Sequence, residues 1–190
     1  MKTFILKLAA LLTFVGVLAG GAAYGQMTAK PFAEGIVSDD GAIQLPENFR
    51  TDYVMLGAWS VAGDVDTGGG VGLHVVYAPR SAVDGYRETG SFPDGTVLVK
   101  ELFNGKTETL TTGEATSATT TAGYFVMVKD TKGRFPGNAL WGEGWGWSFF
   151  NADNTKQTVT KDFQAECLAC HEPARGSDLV YSYAYPVLQK

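Results

Sequence analysis

Thr96-Val97-Leu98-Val99-Lys100-Glu101-Leu102-Phe103 decides the fold class of this 190-residue chain. Successive side chains of a strand point to opposite faces, so Leu98, Lys100 and Leu102 share one face while Val97, Val99, Glu101 and Phe103 share the other. Comparable stretches lie on both sides. Residues 53–61 are rich in β-branched and aromatic side chains and read as a first strand. Residues 71–78 read as a second, following a Gly68-Gly69-Gly70 turn, with Leu73, Val75 and Tyr77 alternating against Gly72, His74 and Val76. Residues 122–129 and 145–151 read as further strands. So does 179–185, where Leu, Tyr, Tyr and Tyr alternate with Val, Ser and Ala.

The segments between are less regular. Threonine-rich residues 107–121 suggest a hairpin with a polar loop. Residues 81–89 fit a short helix stopped by Gly90, and 26–49 is irregular, punctuated by Pro31, Gly35, Gly41 and Pro46. One helix stands out: Thr160-Lys161-Asp162 can cap its start, and it is expected to run through two cysteines until Pro173 ends it. The sum is a mainly β fold, an antiparallel β-sheet domain with a few helices, one of them carrying the cysteines. No internal repeat and no doubly wound pattern occurs.

Hydrophobic residues make up 45% of the chain and charged residues 18%, which is enough for a proper core and argues against disorder. Eleven Phe, eight Tyr and four Trp suit an interior built around a flat apolar group. Residues 1–25 read as a signal peptide: Lys2 and Lys7 precede an apolar run over 4–19, and Ala23-Tyr24-Gly25 places small residues at a cleavage site. An uncleaved membrane anchor is the alternative, which the shortness of the run and Gly20-Gly21 disfavour. Export to the periplasm then leaves one domain, 26–190. Cleavage moves the formal charge from −5 to about −7. An acidic surface speaks against nucleic acid or anionic membrane partners, and it would suit a basic redox partner such as another cytochrome.

The strongest chemical signal is Cys167-Leu168-Ala169-Cys170-His171. Two cysteines three apart on a helical turn can form thioethers with the two vinyl groups of one porphyrin edge, and the following histidine reaches the iron from the proximal side. This is the attachment pattern of haem c, with His171 as metal ligand. The competing readings are a disulfide, a thioredoxin-like redox pair, and a zinc site, which would need two more ligands where only His74 remains besides carboxylates.

The sixth iron position decides function. His74, Met27, Met55 and Met127 are the available strong ligands in the mature chain, and no long Met-bearing loop follows the haem motif. An open site is therefore expected over a closed electron carrier. Lys100, between Leu98 and Leu102, either snorkels at an edge or enters a pocket, where desolvation would make its amine a usable nucleophile.

Leu45-Pro46-Glu47-Asn48-Phe49-Arg50, Asp94-Gly95-Thr96-Val97-Leu98-Val99-Lys100-Glu101-Leu102, Ala165-Glu166-Cys167-Leu168-Ala169-Cys170-His171 and Tyr185-Pro186-Val187-Leu188 together resemble the cytochrome P-460 family across the mature chain. The resemblance implies a homodimeric β protein with one haem c. In the family's hydroxylamine-oxidising branch a lysine is bonded to a porphyrin meso carbon, and that lysine matches Lys100. The cytochrome c′-β branch shares the fold, lacks the cross-link, binds gases such as nitric oxide and caps its distal pocket with phenylalanines. His74 matches a basic pocket position of the first branch and Asp130 a distal-side aspartate, which makes both candidate catalytic residues. Their bland alternatives are a half-buried strand histidine and a turn residue. Asp162, Glu143 and Glu166 are candidates by type alone for a further pocket carboxylate. The implied activity is oxidation of hydroxylamine to nitrous oxide or nitrite, with gas binding without turnover and simple electron transfer as alternatives.

Overall fold

The computed structural model describes residues 32–62 and 72–190. The expected leader, the start of the mature chain and the Gly68-Gly69-Gly70 turn lie outside them.

The core is one six-stranded antiparallel sheet: β1 (Val54–Val61), β2 (Gly72–Ala78), β3 (Val97–Leu110), β4 (Gly113–Lys129), β5 (Trp141–Gly142) and β6 (Trp145–Asn151), in spatial order β1-β2-β3-β4-β6-β5. The mainly antiparallel β expectation holds. Alternation on the pleat separates two apolar layers. On one face Leu56, Val76, Leu98, Met127 and Trp147 pack beneath the helix Arg80–Thr89 and the C-terminal segment. On the other, Val97, Val99, Val126, Val128 and Phe150 pack beneath residues 32–53, which contribute Ile43 and Phe49. Phe49 opens a short helical turn, α1 (Phe49–Asp52), that the sequence pattern did not signal.

The helix Arg80–Thr89 (α2) ends where expected. Gly90 adopts φ 79, and its N–H donates to the Tyr86 carbonyl at 2.7 Å, a left-handed cap that glycine takes without a Cβ clash. Tyr86 in turn donates its hydroxyl to Ser182 Oγ at 2.8 Å, tying α2 to the C-terminal segment.

Three expectations need correction. The hairpin expected of the threonine-rich tract forms, but its loop is far shorter than the polar stretch suggested: β3 and β4 stay paired to Leu110↔Gly113 and turn only at Thr111-Thr112. Threonine is β-branched and suits the pleat, so the tract forms a two-stranded ribbon beyond Asn104, the last residue paired with β2, and Gly123, the last paired with β6. Pro173 does not end the helix that carries the cysteines. The stretch 163–177 is wound as a π-helix over Gln164–Leu168, an α-turn over Ala169–His171 and a 3-10 helix over Glu172–Ser177. Pro173 stands in the first turn of the last piece, where its missing N–H costs no bond. Asp162 caps the start, accepting from the Gln164 N–H at 2.8 Å.

Residues 179–185, finally, are not a strand. Asp178 and Leu179 both take φ 62, and the chain continues into 3-10 turns at Ser182–Ala184 and Pro186–Leu188. Its backbone groups bond locally, as in Leu179 N–H to the Ala174 carbonyl at 2.9 Å and Tyr185 N–H to the Ser182 carbonyl at 3.1 Å. The alternation has another cause: Tyr181, Tyr183 and Tyr185 all turn toward one cavity.

Candidate functional site

That cavity, of about 360 Å³, lies between the sheet and the C-terminal segment. Its volume falls in the range of cofactor and small-molecule sites, roughly 300–1,000 Å³. The sheet wall is built by pleat alternation. Lys100 pairs with Val76 on one side and Phe125 on the other, and His74 pairs with Leu102. His74, Lys100 and Phe125 therefore project from three adjacent strands into the same space. The other wall brings Cys167, Cys170 and His171. The structure thus brings together five of the six residues singled out in the sequence.

Asp130 is the one it leaves out. It directly follows β4, is 4% exposed, and spends its carboxylate on the Lys132 and Arg134 N–H groups and the Arg134 guanidinium, which also binds Asp94. The turn reading of Asp130 is the one this geometry supports. Among the three carboxylates chosen by type, Glu166 lines the cavity, whereas Asp162 caps the helical stretch and Glu143 pairs with Arg175 at 2.7 Å.

His171 is prepared as a ligand. Its Nδ1 lies 2.7 Å from the Leu179 carbonyl oxygen. A carbonyl only accepts, so Nδ1 carries the proton and Nε2 is left with a free lone pair. The edge of Trp147 meets the imidazole at 4.9 Å between ring centroids and fixes its plane. Burial holds the histidine below its ordinary pKa, with the Leu179 bond acting the other way and the Lys100 charge adding to the lowering, so the neutral ring dominates at neutral pH.

The two cysteines differ in setting. Cys167 is buried and Cys170 exposed, and the Cys170 carbonyl accepts the Tyr181 hydroxyl at 2.7 Å. Burial pushes the Cys167 thiol up to about 11. A thioredoxin-like nucleophile requires the opposite shift, so that reading fails on electrostatics. Among the described residues no three His, Cys, Asp or Glu side chains converge as a metal site, which removes the zinc reading there.

On the sheet wall Lys100 Nζ stands 4.7 Å from the centroid of the Phe125 ring. Desolvation lowers its pKa, opposed by the neighbouring thiols. It enters the pocket rather than snorkelling. His74 is lowered first by burial and then by the Lys100 charge. Of the methionines weighed as sixth ligand, Met127 lines the cavity and Met55 does not, being 51% exposed.

Sequence reasoning missed the rest of the lining, notably Trp59, Phe125, Trp147 and the tyrosines. For the tyrosines the period-two spacing was a usable signal, since it reports alternate contact whether or not a ladder forms.

A flat apolar group with an iron centre fits these residues: aromatic walls, two thiols on one helical stretch, and an imidazole with Nε2 free. No curated protein shows significant similarity to the chain. The family described as Cytochrome P460 matches residues 46–182, more than half of the sequence and including the whole cavity-bearing sheet and the haem motif. On that match, and on a fold and cavity that agree with it, the chain belongs to the Cytochrome P460 family of haem cytochromes.

Proposed function

We propose that the protein is an exported, mono-haem c-type cytochrome that oxidises hydroxylamine to nitrous oxide or nitrite. Cys167 and Cys170 would hold the haem through thioethers, His171 would ligate the iron through Nε2, and Lys100 would add a third bond to the porphyrin. The observation that carries this reading is the division of the cavity: a prepared axial imidazole on one wall, a desolvated amine and a neutral imidazole on the other. When bound, the haem supplies an electron acceptor for a small nitrogen substrate. The protein's own work is proton handling and exclusion of water. His74 accepts protons from the substrate nitrogen, being neutral at pH 7 and seated on the cavity wall. Glu166, at the cavity with its carboxylate accepting only from the Lys161 N–H at 3.0 Å among the described residues, can pass protons outward. Lys100 would supply the nitrogen of the cross-link, its lowered pKa leaving more of it as free amine; the new C–N bond would replace a meso C–H and an amine N–H, with two electrons passing to an external oxidant.

A leader at 1–25, a periplasmic site of action, a homodimer and a basic redox partner complete the proposal. They rest on the N-terminal pattern, the acidic charge and the family. A second reading, a nitric oxide-binding protein of the c′-β kind without turnover, is favoured by Phe125, which caps the amine from β4.

Intact mass and peptide mapping of the haem-bearing fragment test the main reading. The expected result is one haem on the peptide containing Cys167 and Cys170, with the Lys100 peptide travelling alongside it. Haem on the cysteine peptide alone would favour the second reading, and a chain without covalent haem would end both.

A further inference from the structure

The carbonyl that orients His171 comes from an unusual turn. Asp178 and Leu179 are consecutive non-glycine residues at φ 62, a left-handed conformation that side chains adopt only when the surroundings enforce it. Asp178 tolerates it; Leu179 does not do so readily. Something has to hold the pair there.

The enforcing contacts converge on Asp178 from the end of the sheet. Lys129, the last residue of β4, pairs in register with Trp145, the first of β6. Lys129 Nζ donates to Asp178 Oδ1 at 2.5 Å and sits 4.7 Å from the centroid of the Trp145 indole. Trp145 Nε1–H donates to the Asp178 carbonyl at 3.1 Å. Both are deep: Lys129 is 8% exposed and Trp145 fully buried. Gly144 leaves the ammonium its room, since a Cβ at that position would lie 3.2 Å from Nζ. Asp178 Oδ2 is buried without a partner among the described residues, so the Lys129 contact is the carboxylate's main compensation.

We propose that Lys129 and Asp178 are a positioning pair for the axial histidine, their ion pair holding the left-handed turn that aims the Leu179 carbonyl at His171 Nδ1. That hydrogen bond gives the imidazole partial imidazolate character and so strengthens Nε2 as a donor to iron. Neither residue touches the cavity. The inference rests on the haem reading above and concerns how the ligand is tuned.

The test uses the haem-loaded protein and two readouts, the ferrous iron–histidine stretching frequency and the midpoint potential. Lys129→Met releases the turn, weakens the Nδ1 bond, lowers the stretching frequency and raises the potential. Lys129→Arg restores both toward the wild-type values. Asp178→Asn keeps a side chain that accepts the left-handed turn and loses only the charge, so it shifts both readouts in the same direction by less. Should Lys129→Met fail to fold, Asp178→Asn decides by the same measurements. An unmoved frequency and potential alongside a lower melting temperature would reduce the pair to a fold-stabilising salt bridge and overturn the inference. Loss of covalent haem from the wild type would instead strike the haem reading itself.

Discussion

Lys100 and Glu101 are neighbours on β3, both shielded from water, and they face opposite sides of the sheet. Glu101 is fully buried and saturated: the Arg50 guanidinium donates to both of its oxygens, and the Thr121 hydroxyl adds a bond at 3.0 Å. Lys100 makes no ion pair among the described residues and meets an aromatic ring. A buried charge with all its partners holds the fold together. A buried amine with none is kept in readiness for something else.

That contrast can be broken by exchanging effects between the two residues. Arg50→Ala leaves the buried Glu101 carboxylate with Thr121 as its partner; because the Arg50 side chain is itself 53% exposed, the cost falls below the roughly 3–5 kcal/mol of a wholly buried pair. We expect a drop in melting temperature with the haem absorption spectrum unchanged; a spectral shift would show that the far layer reaches the cavity. Lys100→Ala has the reverse signature. Haem stays attached through the cysteines, hydroxylamine turnover is lost and the spectrum reverts to that of an ordinary c-type haem, while the Arg50–Glu101 pair on the other face is untouched. An unchanged spectrum would eliminate the cross-link.

His74→Leu sharpens the comparison at smaller cost. It keeps haem binding and slows oxidation by about 100-fold, the lower end of what a positioned base contributes. Equal rates would demote His74 to a structural residue. The wild-type rate should also carry its titration. Burial and Lys100 lower the His74 pKa below 6.5, so the neutral, proton-accepting form persists on moving down from pH 7 and is lost only below the ordinary histidine range. In the haem-free protein, where Lys100 is a free amine, Lys100→Ala removes its charge, and the His74 midpoint, read by NMR of its ring protons, should move up relative to the haem-free parent.

Much of this was legible in the sequence. The sheet was, because alternation at Leu98-Lys100-Leu102 and Leu73-Val75-Tyr77 is imposed by the pleat itself. The convergence of Cys167, Cys170 and His171 on one cavity wall was, because residues this close on one helical stretch share a side. The C-terminal wall was not. Residues 179–185 alternate like a strand, yet the decisive feature is the turn at Asp178 and Leu179, and nothing local announces a left-handed leucine. Asp130 misled for a similar reason: its sequence position matched a pocket residue, but Arg134 four residues on captures its carboxylate. The hairpin at 107–121 was legible too, though polarity suggested a longer loop where β-branching extends the strands to Leu110 and Gly113.

The cavity's two walls have different origins along the chain. The two cysteines and the histidine proposed to hold the haem come from the single helical stretch 163–177, whereas the facing wall is built one residue to a strand, His74 on β2, Lys100 on β3 and Phe125 on β4. Each of these points inward from a rigid ladder and can be exchanged singly without disturbing its neighbours' hydrogen bonds. The helical wall is thereby separated from the sheet wall, whose lining can change one residue at a time.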